Sequence, residues 1–169
     1  MYSRFEAALR GALALVLAGH ALVVHADVVN KLVAQRVSLA PDGKEMRQPA
    51  GTANPGDVVE YKATYFNTGP SAIARLFATV PIPAGTSLVG ESAMPMRAQA
   101  SVDGTHFEAT PLKRLVKLPD GSTREESVPL SEYRALRWDM GKLEAQQDTA
   151  VRLRVLINPV SAAPLATRQ

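Results

Sequence analysis

Apolar side chains recur at every second position along most of this chain, in short runs broken by Gly, Pro, Asn and Asp. The clearest run is 58–67, where Val59, Tyr61, Ala63 and Tyr65 share one face and Glu60, Lys62 and Thr64 the other. A period of two is that of a half-buried strand. Phe66 falls on the polar face and predicts that part of this face is covered. In 149–158 Val151, Leu153, Val155 and Ile157 alternate with Arg152 and Arg154, which predicts a one-sided antiparallel strand. Further strand-like runs occupy 27–39, 71–80, 86–91, 98–102, 106–109, 112–118, 122–128 and 133–139. Between them lie Asp42-Gly43, Asn54-Pro55-Gly56-Asp57, Asn67-Thr68-Gly69-Pro70, Asp103-Gly104 and Asp120-Gly121, all with turn chemistry. The spacing predicts an all-β, antiparallel domain of about nine or ten strands, a sandwich or barrel. No stretch after residue 26 carries a sustained helical period. The expected core is Val59, Tyr61, Tyr65, Val151, Leu153 and Val155, anchored by Trp138, the single tryptophan.

The first 26 residues have a different pattern. Arg4 and Arg10 precede an apolar stretch, Gly11 to Val24, and Val24-His25-Ala26 offers small residues for cleavage. This order is that of a secretory signal peptide, and the apolar stretch is shorter than the ~20 residues a spanning helix needs. The expected organisation is a signal-peptide helix at 1–26, one domain at 27–158 and a flexible tail at 159–169. The mature chain would be exported, to the periplasm or beyond, without a membrane span. The sequence has no cysteine, so the domain relies on its core rather than on disulfides. Net charge is +3, and losing Arg4, Arg10 and Glu6 with the leader lowers it by one. Such a mixed surface is no nucleic-acid footprint.

Two stretches resemble a known family. The first, "NPGDVVEYKATYFNTGPSAIARLFATVPIPAGTSLV", joins a Pro-Gly-Asp turn, an aromatic-bearing strand, Asn-Thr-Gly-Pro-Ser, an alternating strand and Pro-Ala-Gly-Thr. The second, "YRALRWDMGKLEAQQDTAVRLRVLI", has a strand ending in Trp, a Gly turn and a final alternating strand. Both are similar to the bacterial surface-repeat family catalogued as domain of unknown function eleven. The chain departs from it at Val80, where many members carry Asp, and in "EAQQD", which lacks the usual Gly. The resemblance implies an immunoglobulin-like Greek-key sandwich in the cell envelope and no known reaction. Asn67 and Gly69 suit a tight connection needing positive φ.

Candidate chemistry is sparse. His106 is the only histidine outside the leader, so a hydrolytic triad would need it with Asp103 and a serine. Glu125 and Glu126 are adjacent and face opposite ways on a strand, which does not suit a carboxylate pair. Asp42, Asp103 and Asp120 are loop acids that calcium could use, but Asp-x-Asp clustering is absent. Lys31 and Asn158, with Glu60, raise the question of an isopeptide cross-link between first and last strands. Arg152 and Arg154 are the candidate polyanion-facing residues. No cofactor is implied. The expected function is a non-catalytic structural or interaction module of the envelope, binding an unidentified protein or glycan. The alternatives are a small-ligand or calcium-binding carrier and an unrecognised hydrolase.

Overall fold

The computed structural model describes residues 28–159, which form eleven strands and no α-helix. The expected signal-peptide helix at 1–26 and, past Pro159, the expected flexible tail lie outside the described residues. Strands β1 (Val28–Leu39), β2 (Glu45–Pro49), β3 (Val58–Asn67), β5 (Thr86–Leu88) and β11 (Asp148–Ile157) make one antiparallel sheet in the order β2-β1-β3-β11-β5. Strands β4 (Ile73–Pro81), β6 (Gln99–Ser101), β7 (Glu108–Ala109) and β10 (Ala135–Leu143) make a second, ordered β4-β10-β6-β7. Strands β8 (Lys113–Lys117) and β9 (Thr123–Ser127) form a separate hairpin.

The two sheets share one core. Val59, Ala63 and Tyr65 of β3 and Val151, Leu153 and Val155 of β11 meet Leu76, Ala78 and Val80 of β4 and Leu136 and Trp138 of β10. Alternation along each strand puts these side chains on facing surfaces, the arrangement of a β-sandwich. Trp138 is 1% exposed, and its indole N–H donates to Pro95 O at 2.7 Å. The Tyr65 hydroxyl donates across the sandwich to Thr79 O at 3.1 Å, so β3 lies over β4. Tyr61 differs from its neighbours in the expected core: it is half-buried and packs on the margin of the cluster.

At one end two of the connections that cross between the sheets, β3 to β4 and β10 to β11, are tied through Asn67. Its buried Nδ2 donates to Ser71 O (2.8 Å), Glu144 O (3.0 Å) and Leu143 O (3.3 Å), and its Oδ1 accepts from Gly69 N (3.1 Å). Asn67 is the last residue of β3, so its side chain rather than a turn conformation makes this corner.

Two elements depart from the sequence pattern. β2, Glu-Met-Arg-Gln-Pro, has no apolar alternation and forms because the Asp42-Gly43 turn folds it back on β1, pairing Leu39 with Glu45. β10 continues past Asp139 to Leu143, because Gly141 at φ 67° absorbs a register irregularity instead of ending the strand.

Candidate interaction surface on the larger sheet

The outer face of the larger sheet is built by the residues of β3 that alternate with the core: Glu60, Lys62, Thr64 and Phe66. Register fixes what surrounds them. Glu60 lies between Gln35 of β1 and Arg154 of β11, Lys62 between Val33 and Arg152, and Thr64 between Lys31 and Ala150.

Glu60 is buried, 6% exposed, although alternation alone places it on the solvent side. Arg47 of β2 reaches its Oε1 at 3.2 Å and Arg154 its Oε2 at 2.9 Å. Burial pushes the Glu60 carboxyl up, but the hydrogen bonds from Arg47 and Arg154 outweigh it and hold the group below the usual glutamate range. Arg154 also makes a two-pronged contact with Glu45, at 2.7 and 2.9 Å, whose pKa is lowered first by that bond. The four side chains form a closed network in which Arg154 is neutralised, so it does not serve as a free polyanion contact.

Arg152 is arranged differently. It stands directly opposite Lys62, and Lys31 lies one diagonal step from Lys62. No carboxylate among the described residues ion-pairs with any of the three, whereas Arg36, Arg75, Arg114 and Arg124 each have an acid. Glu45 feels Arg152 only at longer range. Like charges directly opposite on a sheet repel, by about 1 kcal/mol at ~5 Å in water. Met94, bonded through its main chain to Arg152, and Pro95 wall a shallow depression of about 310 Å³ over this pair.

Beside the basic row runs an open edge. β2 pairs only with the second half of β1, Gln35 to Leu39. Val28 to Ala34 therefore pair with β3 on one side and with no described residue on the other. Apart from Asn30 on the core side and Lys31 on the outer side, their side chains are apolar. Val29 (55% exposed) and Val33 point outward with Lys31. Val28 and Leu32 (49% exposed) point to the core side, but β1 overhangs the second sheet, whose edge strand β4 lies under β3. Edge strands are ordinarily blunted by charge, proline or cover. β2 follows that rule with Glu45, Arg47 and Pro49, while this half of β1 carries a single charge.

The other sequence candidates are occupied structurally. Asp103 Oδ1 takes the amides of Thr105 and His106 at 2.8 Å, and its Oδ2 lies 2.6 Å from His106 Nδ1. The bond to His106 is the first cause that lowers the Asp103 pKa, and it raises that of His106. Ser101 Oγ donates to Asp103, not to the imidazole, so the order serine–histidine–acid of a triad is not formed. Asp42 and Asp120 likewise accept turn amides, from Lys44 and Ser122. No group of three His, Cys, Asp or Glu among the described residues is placed to hold a metal ion. Glu125 pairs with Lys113, and Glu126 pairs with Arg124. Lys31 and Asn158 are kept apart, because β1 and β11 flank opposite sides of β3 and Asn158 bonds instead to Gly85 O and Ser87.

A separate groove of about 470 Å³ lies between Leu88, Met96, Pro111, Leu130, Tyr133 and Leu136. Its lining is mostly apolar, with one carboxylate, Glu91, and the hydroxyls of Thr110 and Tyr133. No helix among the described residues is long and apolar enough to cross a membrane. Comparison of the chain with family models, with curated proteins and with solved structures finds no match.

Proposed function

We propose that this protein is an exported, non-catalytic interaction module of the bacterial cell envelope that binds a partner protein by strand addition to the first half of β1. The observation that carries the reading is the free edge at Val28 to Ala34, apolar except for Asn30 and Lys31 and without a neighbour among the described residues. An extended segment laid there gains main-chain hydrogen bonds from the unpaired groups of β1, and alternate side chains give it specificity. Its core-side residues cover Val28 and Leu32 and extend the sandwich beyond β4. The resemblance to domain of unknown function eleven supports an immunoglobulin-like fold and an envelope setting. The tripartite leader supports export, with Asp27 as the first mature residue directly before the edge strand. The same edge favours a binding module over the hydrolase and calcium-carrier alternatives, since the acids and His106 are used within turns.

The experiment is selection of random twelve-residue peptides, displayed on phage, against the immobilised folded protein. Enriched peptides should lose binding to Leu32→Arg, a change at an exposed side chain that leaves folding intact. Failure to enrich any peptide, or binding indifferent to Leu32→Arg, would remove strand addition as the function.

A further inference from the structure

Resting on that reading, we infer that the partner strand is acidic on its outward face, and that Lys31 and Lys62 select it. A strand paired to the free edge of β1 places one of its outward side chains directly beside Lys31 and another beside Val33. The row running inward from Val33 is Lys62 and then Arg152. Sheet neighbours are ~4.8 Å apart, so a Glu on the added strand, reaching over Val33, meets the extended Lys62 side chain about two strands away. An Asp or Glu beside Lys31 meets that ammonium directly. The core-side positions fall against Val28, Asn30 and Leu32, and those beside Val28 and Leu32 call for apolar residues. The partner thus alternates acidic and apolar residues over about seven positions, matching Val28 to Ala34.

Charge decides between this partner and a second copy of the chain. Pairing two β1 edges about a two-fold axis centred on the free segment sets Lys31 against Lys31, a direct like-charge contact. An acidic strand meets Lys31 with an opposite charge instead. Lys62 and Arg152 have no acid among the described residues, while Arg154, on the same face of β11, has two.

The peptide selection tests this separately from strand addition. Peptides that bind through the edge should carry Asp or Glu at alternate positions. Their affinity should fall about tenfold on Lys31→Glu and weaken between 50 and 300 mM salt, as exposed ion pairs do. Lys62→Glu gives the sharper sign. It replaces the repulsion across from Arg152 with an attractive ion pair, so thermal stability should rise slightly while affinity for the acidic peptides falls. Opposite signs exclude misfolding as the cause. Selected peptides that lose binding to Leu32→Arg but show no acidic bias and no response to Lys31→Glu would overturn the charge inference and leave strand addition standing. Absence of any edge-dependent peptide would overturn strand addition itself. Concentration-dependent dimerisation blocked by Leu32→Arg would identify a second copy as the occupant and also overturn the inference.

Discussion

Replacing Asn67 with alanine should cost about 3 kcal/mol, because one side chain serves two of the connections between the sheets. The amide is fully buried, and its removal leaves Gly69 N and Leu143 O without their partner in the interior. Each such group costs ~1–3 kcal/mol, while the carbonyls of Ser71 and Glu144, only partly buried, regain part of their loss from water. For a domain of this size the thermal midpoint should fall by about 10 °C. Urea unfolding followed by Trp138 fluorescence is the assay, since the indole is buried in the shared core and reports its opening. Asn67→Asp sharpens the test. At neutral pH it turns a donor into a carboxylate facing three carbonyl oxygens, so its folded pKa rises above the unfolded value. The penalty should then shrink as pH falls through that folded pKa, once the protonated acid donates one bond again. A loss below ~1 kcal/mol for Asn67→Ala, or no recovery of Asn67→Asp at low pH, would refute the corner's role.

Glu60→Gln should lower stability at pH 7 by about 1–2 kcal/mol, less than a fully buried pair because Arg47 and Arg154 remain partly solvated. Because the folded Glu60 pKa lies below 4.5, its contribution is present above that value and is lost as pH falls through the folded pKa. The acid limb of the stability profile should therefore be flatter in the variant, and an unchanged limb would contradict the network. His106 should titrate by NMR above its ordinary 6.5, with the shift removed in Asp103→Asn. Its stabilising interaction is present below ~6.5 and lost as pH rises through the folded pKa. A midpoint at or below 6.5 would refute the pairing.

The strands with strict alternation were legible from the sequence. β3 and β11 occupy 58–67 and 148–157, and Val59, Tyr65, Trp138, Val151, Leu153 and Val155 are all buried. What alternation could not show was which strands become neighbours. Glu60 reads as a solvent residue until Arg47 and Arg154 arrive from strands distant in the chain. Arg152 and Arg154 are indistinguishable along β11, yet one meets two acids and the other meets Lys62. The free edge of β1 was equally hidden, because Asp27 to Leu39 reads as one run, and only the five-residue length of β2 leaves half of it without a partner among the described residues. A signal did exist: Val-Val-Asn-Lys-Leu-Val lacks the polar alternation of a strand with one solvent face.

Amide hydrogen exchange along β1, resolved by NMR in the free protein and with a selected acidic peptide, tests strand addition most directly. In an antiparallel edge strand alternate residues point their N–H groups away from the sheet. In the free protein, Val28 to Ala34 should therefore show fast and slow exchange at alternate positions, while most amides of β3 between its two neighbours stay protected. Adding the peptide should slow the fast set within Val28 to Ala34 and leave the rest of β1 unchanged. Uniform protection of this segment in the free protein, or peptide-induced protection confined to the groove around Leu130 and Tyr133, would contradict the account.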